Sequence, residues 1–143
     1  MKTKFTSLVT VKKNSVQKSE SIVEDANATL KNASNALKIS IQSLDEIDAP
    51  QSGTMNDFLA SRTLLDLTRT NIQYNKEWLE FATTQLNAAK EQLKLDMVEY
   101  EKFKYLDLEE IKKILQKQKM LEAKELDEVA LMTHARKNNR KKG

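Results

Sequence analysis

The sequence predicts an all-α protein, an antiparallel two-helix coiled-coil hairpin with a longer second helix overhanging at the C-terminal end. Three observations carry that expectation. The 143 residues include two glycines and one proline, at Pro50, Gly53 and Gly143, against typical usage of about 7% Gly and about 5% Pro. β-Sandwiches, barrels and doubly wound sheets need frequent tight turns and are excluded by so few turn formers. Large apolar residues recur at every seventh position on both sides of the single interruption at Pro50 and Gly53, which is the period of a left-handed supercoil. Finally, 31% of residues are charged and 39% hydrophobic, a balance that suits long exposed helices better than a thick spherical core. At this length a single coiled-coil domain over 1–143 is expected.

Helix one is expected over about 4–47. Val9, Val16, Val23, Leu30, Leu37 and Leu44 form one row, and Phe5, Lys12, Ser19, Ala26, Ala33, Ser40 and Ile47 form its companion. The first row is large and apolar and the second mostly small or polar, which makes a heptad seam.

Residues 48–54 carry the only loop signal. Pro50 cannot donate within a helix, and Gly53 supplies backbone freedom. Thr54 is the expected helix cap, its hydroxyl accepting an orphan amide, and Asp57 suits the positive helix end.

Helix two is expected over about 55–135, followed by a basic tail over 136–143. Phe58, Leu65, Ile72, Leu79, Leu86, Leu93 and Tyr100 form the large row, with Ser61, Thr68, Asn75, Ala82, Ala89, Asp96 and Phe103 as companions. A short loop makes the helices antiparallel neighbours. Pairing Ile47 with Phe58 sets Ala26 against Leu79, Ser19 against Leu86 and Val23 against Ala82, so that large meets small in nearly every layer. In this register helix one is used up when helix two reaches about Tyr100. The remainder still carries Phe103, Ile111, Ile114, Leu115, Leu121, Leu126 and Val129. A lone helix in water cannot bury such a face, so it docks into a partner or self-associates.

A second stripe lies off the seam of helix two. Leu67, Tyr74, Phe81, Ala88 and Leu95 are also seven apart, with Leu64 and Trp78 adjoining them. Clustered aromatic and aliphatic residues on an outer face are typical anchors of an interface, with another protein or with a second copy, the plainer alternative being a further core contact with helix one wrapping over them.

Reactive chemistry is sparse. There is no cysteine, which excludes disulfides, thiol catalysis and thiolate metal sites. The scarcity of glycine leaves no phosphate-cradling loop. The single histidine, His134, adjoins the basic tail, where a solvated side chain is the ordinary reading. Asp107, Glu109 and Glu110 pair most simply with Lys112 and Lys113. The reading is therefore non-enzymatic, with no catalytic residue, cofactor or metal. A net charge of +3 from 24 basic and 21 acidic residues provides no global field for nucleic acid, and the tail from Arg136 to Lys142 lacks interleaved aromatics for base stacking. Neither a signal peptide nor a membrane span is legible, so a cytoplasmic location is expected.

The segment Lys124-Glu125-Leu126-Asp127-Glu128-Val129-Ala130, followed by Arg136, resembles the C-terminal signature of the FliJ family of flagellar type III export proteins. The Phe5-x-x-Leu8 opening and the charged stretch over 101–119 are similar to that family as well. The resemblance implies a coiled-coil stalk like that of rotary ATPases, located at the cytoplasmic face of the flagellar base. Its implied partners are the hexameric export ATPase, the cytoplasmic domain of the export gate and export chaperones, with the membrane reached only through them. On this reading Phe5, Leu8, Ile111, Leu115, Leu126, Asp127, Glu128 and Ala130 face the ATPase. Leu67, Tyr74, Trp78 and Phe81 are a physical candidate for the gate or another partner, matched to no family motif. The alternatives are a general coiled-coil adaptor or chaperone, and the equivalent stalk of a virulence secretion system.

Overall fold

The computed structural model describes residues 1–48 and 50–142. Ala49, Gly143 and the side chains of Lys141 and Lys142 lie outside the described residues, and with them part of the expected loop and basic tail. Two helices form the fold, α1 over Thr6–Asp45 and α2 over Met55–Lys142, packed as an all-α hairpin with no strand among the described residues. Contacts divide the chain into two compact units, Asn14–Val98 and Met1–Lys13 with Glu99–Gly143.

Within the unit 14–98, the buried residues fall on the two heptad rows of each helix. Val16, Ala33, Ile72, Ala82, Leu86 and Ala89 are the buried apolar residues, joined by the polar Ser19, Ser40 and Asn75. Ala33 and Ala82, at 0% and 1% exposure, are the most enclosed, because a methyl side chain lets the facing helix approach closely and receives its larger residues.

The register differs from the sequence expectation by about one heptad. Ser19, expected opposite Leu86, instead donates to the Asp96 carboxylate. Asp96 lies one turn past Leu93, itself one heptad beyond Leu86. The Asn75 side-chain amide donates to Ser40. The displacement keeps large residues on small ones, since both ladders repeat every seven positions. Its physical origin is at the turn. Pro50 borders one open groove with Phe58, Leu59, Ser61, Arg62 and Leu65, so the loop, rather than α1, flanks the first turns of α2 and leaves them largely exposed. Phe58, expected opposite Ile47, is consequently 44% exposed.

Gly53 has φ +144°, a conformation that favours glycine, and a Cβ there would lie 2.7 Å from Asp57 Oδ2. That carboxylate accepts the Thr54 amide at 3.0 Å, while the Asp57 amide donates to Thr54 Oγ1 at 3.3 Å. The pair is a reciprocal capping box, with Asp at the third helical position.

Within the second unit, the start of α1 is held by a box of two threonines. The Phe5 amide donates to Thr3 Oγ1 at 3.0 Å and the Thr3 amide to Thr6 Oγ1 at 2.8 Å. Both hydroxyls in turn donate to the Asp107 carboxylate of α2. Phe5 packs against Phe103 with ring centroids 6.5 Å apart. Lys12, a charged residue on a seam row, places its ammonium over the Phe103 ring, 5.6 Å from its centre, and 3.8 Å from Glu99, so that the charge meets both the ring face and a carboxylate at the rim. α2 thus stays paired with the start of α1 as far as Asp107, rather than Tyr100.

α2 then continues to Lys142, through residues expected to form a non-helical tail. The run over 136–142 contains no helix breaker, Lys and Arg are good helix formers, and cations near a helix C-terminus are favoured by its dipole.

Candidate functional site

Two surfaces stand out, one in each unit. In the unit containing residues 99–143, α2 passes beyond its hydrogen bonds with the start of α1 at Asp107. Ile111 and Ile114 remain half-buried. Leu108, Leu115, Leu121, Leu126 and Val129 are exposed by 43% to 69%. At about 1.5 Å per residue, the stretch after Asp107 amounts to roughly 50 Å of helix. Nothing among the described residues covers most of its apolar side chains.

The sequence-predicted residues of this surface are spread along the helix rather than gathered. Ile111 and Leu115 share one face at a four-residue step. Leu126, Val129 and Ala130 continue the same face further along at steps of three and four, forming an apolar strip with Glu122 and Glu125 beside it. Asp127 and Glu128 are exposed and sit off that strip. Of the opening pair, Leu8 is 40% exposed, whereas Phe5 is half-buried against Phe103. Phe5 therefore shapes the end of the seam, and Leu8 offers the free apolar contact there.

Charges around this surface are solvated. Lys112 meets Glu109 at 3.4 Å with both side chains substantially exposed, an arrangement worth about 0–1 kcal/mol. The His134 ring nitrogen lies 3.2 Å from the Asn138 side-chain amide on the exposed helix surface. The described residues hold no group of three or more side chains able to bind a metal. What such a surface can do is bury apolar area against a partner, with its carboxylates and ammoniums setting orientation.

The second surface lies in the unit 14–98. Leu67, Tyr74 and Phe81 are exposed by 64%, 66% and 60%, and Trp78 is half-buried beside them. Phe81 also borders a groove whose opposite wall is Ile22, Asp25, Ala26 and Thr29 of α1. Ile22, 47% exposed, was missed by reasoning on the seam alone. Its signal was present in the sequence: Ile22, Thr29 and Ala36 form an uncharged row directly flanking the α1 seam.

No helix among the described residues is long and apolar enough to cross a membrane. A protein-family model described as "Flagellar FliJ protein" matches residues 1–139 of the chain. Neither the curated proteins nor the solved structures provide a match.

Proposed function

Because the chain belongs to the flagellar FliJ family and is thereby a component of flagellar type III protein export, we propose that it acts as the non-enzymatic central stalk of the export ATPase. In this reading the overhanging part of α2 enters the hexameric ATPase, and the outer stripe over Leu67, Tyr74, Trp78 and Phe81 contacts the cytoplasmic domain of the export gate. Export chaperones are further clients of the same exposed faces. The protein works at the cytoplasmic face of the flagellar base and reaches the membrane only through its partners.

The observation that carries this reading is the uncovered apolar helix after Asp107. A helix exposing Leu115, Leu121, Leu126 and Val129 is stabilised by a surrounding partner, and a ring of subunits surrounds a single helix more completely than any flat surface. Phe5, Leu8, Ile111 and Leu115 contact the mouth of such a ring, and Leu126, Asp127, Glu128 and Ala130 its interior. Apolar contacts supply affinity, while Asp127 and Glu128 seek cationic or amide partners.

Co-purification of the full-length chain with its cognate export ATPase tests the reading. Binding is expected, together with its loss when Leu126 and Val129 are both replaced by Asp. Absence of binding by the full-length chain, with ATPase activity and motility unchanged when residues 108–143 are deleted, would remove the stalk assignment.

A further inference from the structure

Within the unit 14–98, α2 carries a complete second heptad seam, and the geometry points to that seam pairing with itself in a second copy of the chain, as a twofold antiparallel dimer. One row is Leu67, Tyr74, Phe81, Ala88 and Leu95. The other is Leu64, Asn71, Trp78, Gln85 and Gln92. The rows alternate at steps of three and four, the spacing of a helix-packing seam. All ten side chains are exposed except Trp78, which is half-buried.

None of the ten is charged, although 31% of the chain is. The opposite flank of α2 behaves differently, with Arg62, Arg69, Lys76 and Lys90 in one row. Charge is thus withheld from one flank alone, which removes like-charge repulsion from self-pairing.

A helical occupant follows from the period, and a second copy follows from the layers. Let the twofold axis pass between Trp78 and Phe81. Trp78 then meets the partner subunit's Phe81, and symmetry supplies the same aromatic pair again at the centre, where binding energy concentrates. Tyr74 meets the partner's Gln85, Asn71 meets the partner's Ala88, and Leu64 closes each end against the partner's Leu95. Glu77 and Glu91, the acids of the adjoining row, fall beside threonines at positions 84 and 70 rather than beside each other.

The area sets the strength. Residues 64–95 extend roughly 47 Å at ~1.5 Å per residue, and one helix width of ~10 Å gives about 1,000 Å² over two copies, the lower bound of a specific interface. Such a dimer is reversible, so the seam can be exchanged for another helical partner. The inference shares residues with the gate assignment but does not rest on it, because it is tested on the chain alone.

The chain has no cysteine, so Leu64→Cys and Leu95→Cys can be placed in separate full-length chains, mixed and oxidised. The expected product is a mixed disulfide dimer formed several-fold more than in either variant alone. Light scattering at roughly 10–100 µM, where interfaces of this size associate, is expected to show dimers that Trp78→Glu abolishes with helix content retained. Leu67→Lys replaces Trp78→Glu if the latter loses helix. A monomer throughout this range with no preference for the mixed disulfide overturns the proposal, even if the stripe still binds the gate domain. Equal cross-linking of each variant alone, or a dimer that survives these charge substitutions, overturns it equally.

Discussion

The Asn75 side-chain amide donates to the Ser40 hydroxyl within the seam, and Ser40 passes its own hydrogen bond to the Ala36 carbonyl at 2.7 Å. Three heptads along both helices, Ser19 and Asp96 form a second polar layer. A slide by one heptad would still place large residues on small ones. A slide that sets Ser40 against Thr68 would put Asn75 against Ala33 and Ser19 against Ala89, so these two polar side chains lose their partners and the layers select the register. In the cysteine-free chain, Ser40→Cys with Asn75→Cys is expected to close a disulfide on oxidation. Ser40→Cys with Thr68→Cys, the pair one heptad away, is expected to remain open, and free-thiol titration after non-reducing electrophoresis reads both.

The turn depends on Asp57, which the Thr54 amide reaches and a Cβ at position 53 would strike. Gly53→Ala combines a disfavoured backbone conformation with that clash, and is expected to lower stability by about 1–2 kcal/mol. Thr54→Ala is expected to cost about 1 kcal/mol. The two losses combine non-additively because both act on the same capping box, Gly53 through the Asp57 carboxylate and the Thr54 hydroxyl through the Asp57 amide. Urea unfolding of the single and double variants measures this.

Asp107 accepts from both threonines that cap α1. Asp107→Ala removes these charge-assisted bonds and is expected to cost about 1–3 kcal/mol locally. Hydrogen exchange should quicken at the first turns of α1, around residues 5–9, while amides near Ala33 keep their protection. Uniform loss of protection along both helices would contradict a local role.

The outer stripe is proposed to serve the gate independently of the ATPase. Trp78→Ala with Phe81→Ala is expected to weaken binding to the gate's cytoplasmic domain by at least tenfold, as loss of aromatic anchors does, and to leave ATPase binding intact. Calorimetric titration against each partner separates the two. Undiminished gate binding would remove the stripe from that role.

Most of the fold was legible because it rests on period and punctuation. Among the described residues, Val16, Ala33, Ile72, Ala82, Leu86 and Ala89 are buried where the heptad rows put them. The register was not, since a seven-residue repeat on both helices makes registers one heptad apart nearly equivalent in volume. Only Ser19, Ser40, Asn75 and Asp96 distinguish them, and their pairing is a tertiary fact. The groove that Pro50 borders together with Leu65 is likewise invisible to a pattern that treats the loop only as a break. The overhang was legible as an uncovered apolar face, although it begins after Asp107 and the helix runs on to Lys142. Charge near the C-terminus marked the residues as polar and said nothing against a helix.

The proposed stalk puts one helix in the middle of a hexameric ring, and the stoichiometry of the purified complex decides whether it does. Native mass spectrometry of the full-length chain with its export ATPase is predicted to show one chain per six ATPase subunits, with Leu126→Asp and Val129→Asp together leaving the ring empty. A complex carrying six chains per ring, or one unaffected by those substitutions, would contradict a central stalk and place the protein on the outside of the ring.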